Sequence, residues 1–177
     1  MKHFGLILIV LMSFGLSNCK KDKVEVPPVI PPVIDVAKSF IINELMAKNK
    51  QFGSDQNGQF DDWIELYNLS SEELDISGYY LTDSKKNLTK WKFPVGTKLA
   101  KNGYLIVWAD SDTLQVGLHA NFKLSSLGEN VVLLSPDLTL INEVKFPLAD
   151  ALHSYGRIPN GTGSFIETTP TFNAENK

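Results

Sequence analysis

One short acidic segment places side-chain oxygens at alternate positions. Asp55 and Asn57 alternate in Asp-Gln-Asn-Gly, and Asp62 follows a few residues later. An EF-hand loop begins to surround Ca²⁺ with this spacing, but the bidentate Glu of its last position is missing, so other strands would have to complete the ligand set. If the first strands are neighbours, Glu44 and Glu65 would do so. We therefore predict these five residues as calcium ligands. The alternative is a polar hairpin loop with solvated carboxylates.

Catalytic motifs are absent from the sequence. It has neither a Gly-x-Ser-x-Gly elbow nor an HExxH helix. His119 and His153 have no acid at metal-ligand spacing, and we expect both on the surface or in loops. A glycosidase needs two acids that face a cleft, and nothing in the sequence indicates a cleft. A third hypothesis, a small hydrolase that uses the acids, would require turnover that Glu65→Gln abolishes. We predict that the chain is not an enzyme.

Aromatic side chains are the candidates for surface binding. Trp63, Glu65 and Tyr67 share one face of an alternating segment. Because a charged residue lies on that face, we predict that Trp63 and Tyr67 reach the surface, where they could stack on a sugar or a base. Trp91 and Trp108 lie within apolar strands and are predicted to lie in the core or to seal its rim.

The single cysteine, Cys19, follows an apolar stretch from Phe4 to Leu16. This stretch is too short to span a hydrocarbon layer of about 30 Å, so it is typical of a signal peptide. Leu16 to Cys19 resembles the lipobox of bacterial lipoproteins, which implies that Cys19 is acylated and begins the mature chain. We predict a lipoprotein signal peptide over residues 1–18 and a lipid-anchored protein at the cell envelope, in the outer membrane. The alternative is an ordinary signal peptide with an incidental cysteine.

Composition bounds the rest of the chain. Its 177 residues are 43% hydrophobic and 21% charged, which fits one globular domain after a leader. The net charge of −3 gives no basic footprint, so we do not expect nucleic acid as a general partner. With Cys19 acylated, no thiol remains for a disulfide, a metal site or a nucleophile.

Two segments follow the leader. Residues 19–36 repeat Pro-Pro-Val-Ile, which favours an extended polyproline tether. From residue 37 to 177, short apolar runs alternate with turn residues such as Asn102-Gly103, the pattern of an all-β sandwich or barrel. We predict strands over 39–47, 62–68, 74–82, 91–93, 104–109, 121–124, 130–135, 138–146 and 154–158. The residues from Pro170 onward are expected to be loose.

Five blocks in this region together resemble a known family. They are IINELMAKN, DWIELYNLSSEELDISGYYLTD, KWKFPVGTKLAKNGYLIVWAD, HANFKLSSLGENVVLLSPD and SYGRIPNG. In order and spacing they resemble the lamin-tail domain in its bacterial form, over roughly residues 38–177. The resemblance implies an immunoglobulin-like β-sandwich and a role as an attachment or interaction module, without a reaction. Bacterial members often close with a Pro-Gly turn and an Asn, whereas this chain has Phe172-Asn173.

The sequence therefore predicts a membrane-anchored lipoprotein. Its non-catalytic immunoglobulin-like domain would bind an envelope or extracellular protein as its partner. The alternative is a carbohydrate- or nucleic-acid-binding accessory domain that serves a separate secreted hydrolase. Binding of glycans through Trp63 or Tyr67 would favour that alternative.

Overall fold

The computed structural model describes residues 35–177. The predicted signal peptide, Cys19 and nearly all of the predicted tether lie outside the described residues. A short 3₁₀ turn, Val36–Lys38, leads into the first strand, and Val36 packs against the core, so it belongs to the domain rather than to the tether. No helix among residues 35–177 is both long and apolar enough to cross a bilayer.

Short strands account for the regular structure of the described residues. They are β1 (Phe40–Met46), β2 (Trp63–Asn68), β3 (Leu74–Asp75), β4 (Tyr80–Thr82), β5 (Trp91–Lys92), β6 (Lys98–Leu99), β7 (Tyr104–Ala109), β8 (His119–Ala120), β9 (Glu129–Leu134), β10 (Leu140–Phe146), β11 (Ser154–Ile158) and β12 (Ser164–Thr168). They form a six-stranded sheet in the order β12-β11-β1-β2-β7-β8, a four-stranded sheet β10-β9-β4-β5, and the small pair β3-β6. All pairs are antiparallel except β7 and β8.

The two larger sheets face each other across one hydrophobic core. Ile42, Leu66 and Val107 come from the six-stranded sheet, and Leu81 and Leu133 come from the four-stranded sheet. Apolar side chains at alternate positions of a strand point to the same side, so each sheet buries one face in this core. The predicted immunoglobulin-like β-sandwich is confirmed.

A β-bulge in β1 decides which side chains reach the core. The pairing of β1 with β2 shifts between Ile42 and Glu44, so Ile42 and Leu45 both point inward although they are three residues apart. A bulge inserts one extra residue and reverses the alternation beyond it. Glu44 and Met46 therefore point to the outer face, which we define as the face of the six-stranded sheet turned away from the core.

The sandwich has two distinct ends. Residues 35–39 enter it at what we call the proximal end, where the N–H of Leu69 donates to the carbonyl of Ser39. At the distal end, β1 finishes and β2 begins, with Met46 opposite Trp63. The loop after β7 also leaves from the distal end, because Trp108 lies opposite Trp63.

Most of the predicted strands are present, with several differences. Only the isolated bridge of Lys123 to Asp110 falls within the predicted strand 121–124. The prediction missed the two-residue strands β6 and β8, and it missed β12, which pairs with β11. The predicted strand 74–82 is divided into β3 and β4. The expectation of a loose end from Pro170 onward is wrong, because Asn176 is buried against the outer face.

Candidate functional site

A polar cleft lies at the distal end. It has a volume of about 280 Å³ and is walled by the loops that follow β1, precede β2 and follow β7 and β8. Its charged side chains are three lysines and three aspartates, with one half-exposed aromatic ring beside them: Lys48, Lys50, Lys123, Asp61, Asp62, Asp110 and Phe60. Among the described residues, none of the three lysines forms an ion pair. The cleft therefore offers charges of both signs to a ligand or a partner.

Asn49 holds the first wall of this cleft in shape. The side-chain amide of Asn49 donates to the carbonyls of Gly53 and Asp61, both at 2.9 Å. Its side-chain oxygen accepts the N–H of Phe52 at 2.9 Å. Its backbone N–H donates to Asp62 Oδ1 at 3.0 Å. One buried asparagine thus satisfies the polar groups of a long loop that has no ladder of its own.

Two carboxyls of the cleft, those of Asp61 and Asp62, have a pKa raised above its usual range. Burial raises the pKa of Asp62 to about 6, against the opposing effect of the Asn49 N–H. Burial also raises the pKa of Asp61, and the nearby charges of Asp110 and Asp55 act in the same direction. Because the charged forms are disfavoured, these carboxyls would gain from a cationic partner group.

His119 is buried, which contradicts the expectation of a surface or loop residue. Its Nδ1 lies 2.6 Å from Asp110 Oδ2, and both side chains are almost fully enclosed. Gln56 Nε2 lies 3.2 Å from the other ring nitrogen, and the His119 ring stacks on Trp108. The pair therefore joins two distal loops and offers no open ring nitrogen to a substrate. His153 is exposed beside Asp150, as expected.

Exposed leucines lie beside the cleft, next to Ser126, which is part of its lining. Leu127 and Leu148 are 79% and 67% exposed, and the N–H of Ala149 donates to the carbonyl of Ser126 between their two loops at 2.8 Å. This bond places Leu127 and Leu148 opposite each other. Leu152, in the next turn, is 60% exposed. Apolar side chains beside a charged cleft are the composition of a protein-binding surface.

Trp63 does not reach the surface, so the prediction of a Trp63–Tyr67 binding patch is wrong for Trp63. It is fully buried on the outer face with Met46 and Trp108, and its Nε1 donates to the carbonyl of Phe52 at 3.0 Å. Tyr67 is half-buried against Tyr104, with ring centroids 4.9 Å apart. Trp91 and Trp108 are buried, as predicted.

Residues 169–177 cover this aromatic cluster, and we call them the closing segment. The Phe172 ring packs against Trp63 and Trp108, with centroids 5.4 and 5.6 Å apart. Asn176 donates from Nδ2 to the carbonyls of Asn43 and Arg157, both at 3.1 Å. The closing segment is thus bound through side chains and backbone at both of its ends.

Two buried glutamates lie beneath the closing segment. Glu44 accepts the N–H of Thr171 at 3.0 Å and the Thr171 hydroxyl at 2.6 Å. Glu65 Oε1 accepts Asn43 Nδ2 at 2.9 Å, whereas Oε2 is buried with no partner among the described residues. Burial raises the pKa of Glu65 to about 8, and the Glu44 carboxyl acts in the same direction. Burial also raises the pKa of Glu44.

The structure divides the predicted calcium ligands among three places. Glu44 and Glu65 are neighbours across β1 and β2, as expected, but they lie beneath the closing segment. Asp62 lines the distal cleft. Asp55 Oδ1 accepts the backbone N–H of Asn57 in its own turn at 2.8 Å. Within residues 35–177, no three His, Cys, Asp or Glu side chains gather as a metal site.

We expect calcium to leave the stability of the domain unchanged. A hard cation needs six to eight oxygen ligands, and the five residues do not meet around one cavity. The melting temperature measured in millimolar CaCl₂ should equal that in EDTA, with MgCl₂ as the control for ionic strength. A melting temperature that rises in CaCl₂ but not in MgCl₂, with the rise abolished by Asp62→Asn, would instead establish the predicted site.

Sequence reasoning missed the residues that organise both sites. The side-chain amides of Asn49 and Asn176 donate hydrogen bonds to backbone carbonyls. No local sequence pattern predicts these bonds. The lysines of the distal cleft are spread over loops about 75 positions apart, from Lys48 to Lys123. One signal was available, since the three-residue spacing of Ile42 and Leu45 within an alternating strand indicates a bulge.

Comparison with known proteins gives one finding for the fold. The model of the Lamin Tail Domain family matches residues 36–147, which is more than half of the chain. The match includes β1 to β10 and both walls of the distal cleft. It ends before β11, β12 and the closing segment. No curated protein matches the chain.

Proposed function

The chain belongs to the lamin-tail domain family, and we propose that it is a lipid-anchored envelope protein that presents its distal end to a protein partner. The family supports an interaction module of the immunoglobulin-like type. The lipid anchor, the envelope location and the absence of catalysis are our proposals for this chain.

The placement of the two ends carries the proposal. Residues 35–39 enter the sandwich at the proximal end, while the charged cleft and the exposed leucines lie at the distal end. The distal end is thus the end of the sandwich opposite the point at which an N-terminal tether would attach. The candidate binding surface therefore lies where a partner has the freest access.

The chemistry of the distal end favours a protein over a sugar. Leu127 and Leu148 supply apolar anchors, and Lys48 and Lys123 supply charge at the rim. Protein interfaces combine apolar anchor residues with polar and charged groups on one surface. The stacking surface on which the carbohydrate alternative rested has lost its larger ring, because Trp63 is buried.

Site-specific photo-crosslinking in cells tests the distal end. We expect a photoreactive residue at Leu148 to form a discrete crosslinked protein adduct. The control is Val95, which is 98% exposed. It lies in a turn beside the proximal end, close to Phe93, whose backbone N–H donates to the carbonyl of Tyr79. Lys48→Glu and Lys123→Glu should weaken the adduct at Leu148, whereas Lys101→Glu at the proximal end should not. Equal adducts from Leu148 and Val95 would contradict the proposal.

Cys19→Ala tests the anchor separately. Because Cys19 is the only thiol, no other residue can replace it as the acylation site. We expect the variant to accumulate as unprocessed precursor and the wild-type chain to fractionate with membranes. Mass spectrometry of the mature N-terminal peptide should show an acylated cysteine. A wild-type chain that begins elsewhere, or that carries a free Cys19 thiol, would contradict the anchor.

A further inference from the structure

We propose that the outer face of the six-stranded sheet is a peptide-binding groove that the closing segment fills in this structure, and that the closing segment of a second copy of this chain can enter it. This interaction surface lies on the outer face and not in the distal cleft, although its aromatic site adjoins the distal end. The inference does not depend on the proposed function.

The groove recognises a peptide at two sites. Its aromatic site is formed by Trp63, Trp108 and Gly53, whose missing side chain leaves room for the ring of Phe172. A Cβ atom at Gly53 would lie 2.4 Å from the ring. Its polar site is formed by the carbonyls of Asn43 and Arg157, which accept the side-chain amide of Asn176.

The groove also binds backbone N–H groups of the closing segment, one just before Phe172 and one at Asn176. Glu44 accepts the N–H of Thr171, and Asn160 Oδ1 accepts the N–H of Asn176. Asn173 has a φ of 56°, a left-handed conformation that Asn tolerates better than most residues. The groove therefore selects an aromatic residue, then a residue that accepts positive φ, then an asparagine three positions later.

The closing segment can leave without opening the sandwich. None of residues 169–177 belongs to the main core, and Asn173, Ala174 and Glu175 face outward. β12 ends at Thr168, and Pro170 cannot donate a ladder bond, so residues 169–170 can act as the hinge. Departure would expose Trp63 and Trp108, which favours refilling of the groove.

An identical segment from a second copy would satisfy the same contacts. When identical chains exchange an element, that element makes in the partner the same contacts that it makes in its own chain. Such exchange is a low-cost route to dimers. The occupant that the groove demonstrably fits is the sequence Thr-Phe-Asn-Ala-Glu-Asn. We therefore assign the groove to the closing segment of a second copy rather than to an unrelated peptide.

A labelled peptide of residues 169–177 tests the groove on the full chain. The chain that carries Phe172→Ala and Asn176→Ala has a weakened segment of its own, so fluorescence anisotropy should show saturable binding of the peptide. The wild-type chain, whose groove is filled, should bind it at least about tenfold more weakly. The same peptide with alanine in place of Phe172 is the control and should not saturate. Equal binding to both chains, or no binding to a variant that melts cooperatively, would overturn the proposal.

A protease site inserted after Thr168 covers the case in which the variant fails to fold. The inserted chain folds with its segment in place, and cleavage then leaves that segment held without a covalent link. Excess labelled peptide should replace the cleaved segment. If the labelled peptide does not exchange with the segment during prolonged dialysis, the proposal of a peptide-binding groove would be overturned.

A mixing experiment tests the second copy as occupant. In the first chain, Gly53→Leu fills the aromatic site and frees an intact closing segment. The second chain carries Phe172→Ala and Asn176→Ala, so its own closing segment is weakened. The two chains are mixed. Light scattering should show a 1:1 dimer in the mixture and monomers in each chain alone. If the mixture stays monomeric although the peptide binds, the proposal that a second copy occupies the groove would be overturned.

Discussion

The domain should lose stability as the pH rises from about 5 to about 8, and Glu65→Gln should remove most of that loss. The pKa of Glu65 is raised from 4.5 to about 8, chiefly by burial. A carboxyl with a raised folded-state pKa stabilises the fold below its unfolded pKa, and this contribution disappears as the pH rises through the folded value. The loss is on the order of 5 kcal/mol at most. Asp62, whose pKa is raised to about 6, acts in the same direction.

Glutamine reproduces the neutral carboxyl, so the variant isolates the charge. Its side-chain oxygen can still accept Asn43 Nδ2, and its shape fits the same space. Urea unfolding followed by tryptophan fluorescence at pH 5, 6.5 and 8 should show the variant close to wild type at pH 5 and more stable at pH 8. Glu73→Gln, at an exposed position, is the matched control. A wild-type stability that does not fall over this range, or an equal fall in Glu65→Gln, would contradict the prediction.

An exposed histidine also has a raised pKa and needs its own control. His153 lies beside Asp150, and that hydrogen bond raises the pKa of the imidazole. A raised histidine pKa also gives stability that is lost as the pH rises. The control is His153→Gln, which should leave most of the slope in place because the imidazole is exposed and its pairing is screened by solvent.

The sequence predicted the core better than the outer face, and Trp63 shows why. Alternation correctly separated Trp63 and Glu65 from the core residues Ile64 and Leu66. The inference that the second face meets solvent assumed that nothing covers it. Its cover, the closing segment around Phe172, lies more than 100 positions later in the chain. Local periodicity reports which residues share a face but not what packs on that face.

The distal end shows the same limit. His119 lies only nine positions after Asp110, yet their contact depends on the two-residue strand β8 pairing in parallel with β7. Parallel pairing of so short a strand has no sequence signature, since propensity is informative only when summed over longer segments. The condition set for Glu44 and Glu65, that the first strands are neighbours, is met, because β1 and β2 pair and place the two glutamates opposite each other.

Gly53→Ala should destabilise the domain by about 2 kcal/mol more than Gly58→Ala, the difference being the lost packing of Phe172. Both glycines have a φ of 77°, so both alanines bear the same left-handed strain of roughly 1–2 kcal/mol. Their surroundings differ. A Cβ atom at Gly58 has no neighbour within 4 Å, whereas a Cβ at Gly53 lies 2.4 Å from Cδ2 and 2.5 Å from Cγ of Phe172.

A double-mutant cycle separates this contact from the backbone strain. The atoms that clash belong to the base of the Phe172 ring, so the ring has to leave its place against Trp63 and Trp108. In a Phe172→Ala background the ring is already absent, and Gly53→Ala should then cost no more than Gly58→Ala. Urea unfolding of the four chains measures the coupling. Additive effects of Gly53→Ala and Phe172→Ala would show that the ring does not occupy the space beside Gly53, and the aromatic site of the groove would then have to be placed elsewhere.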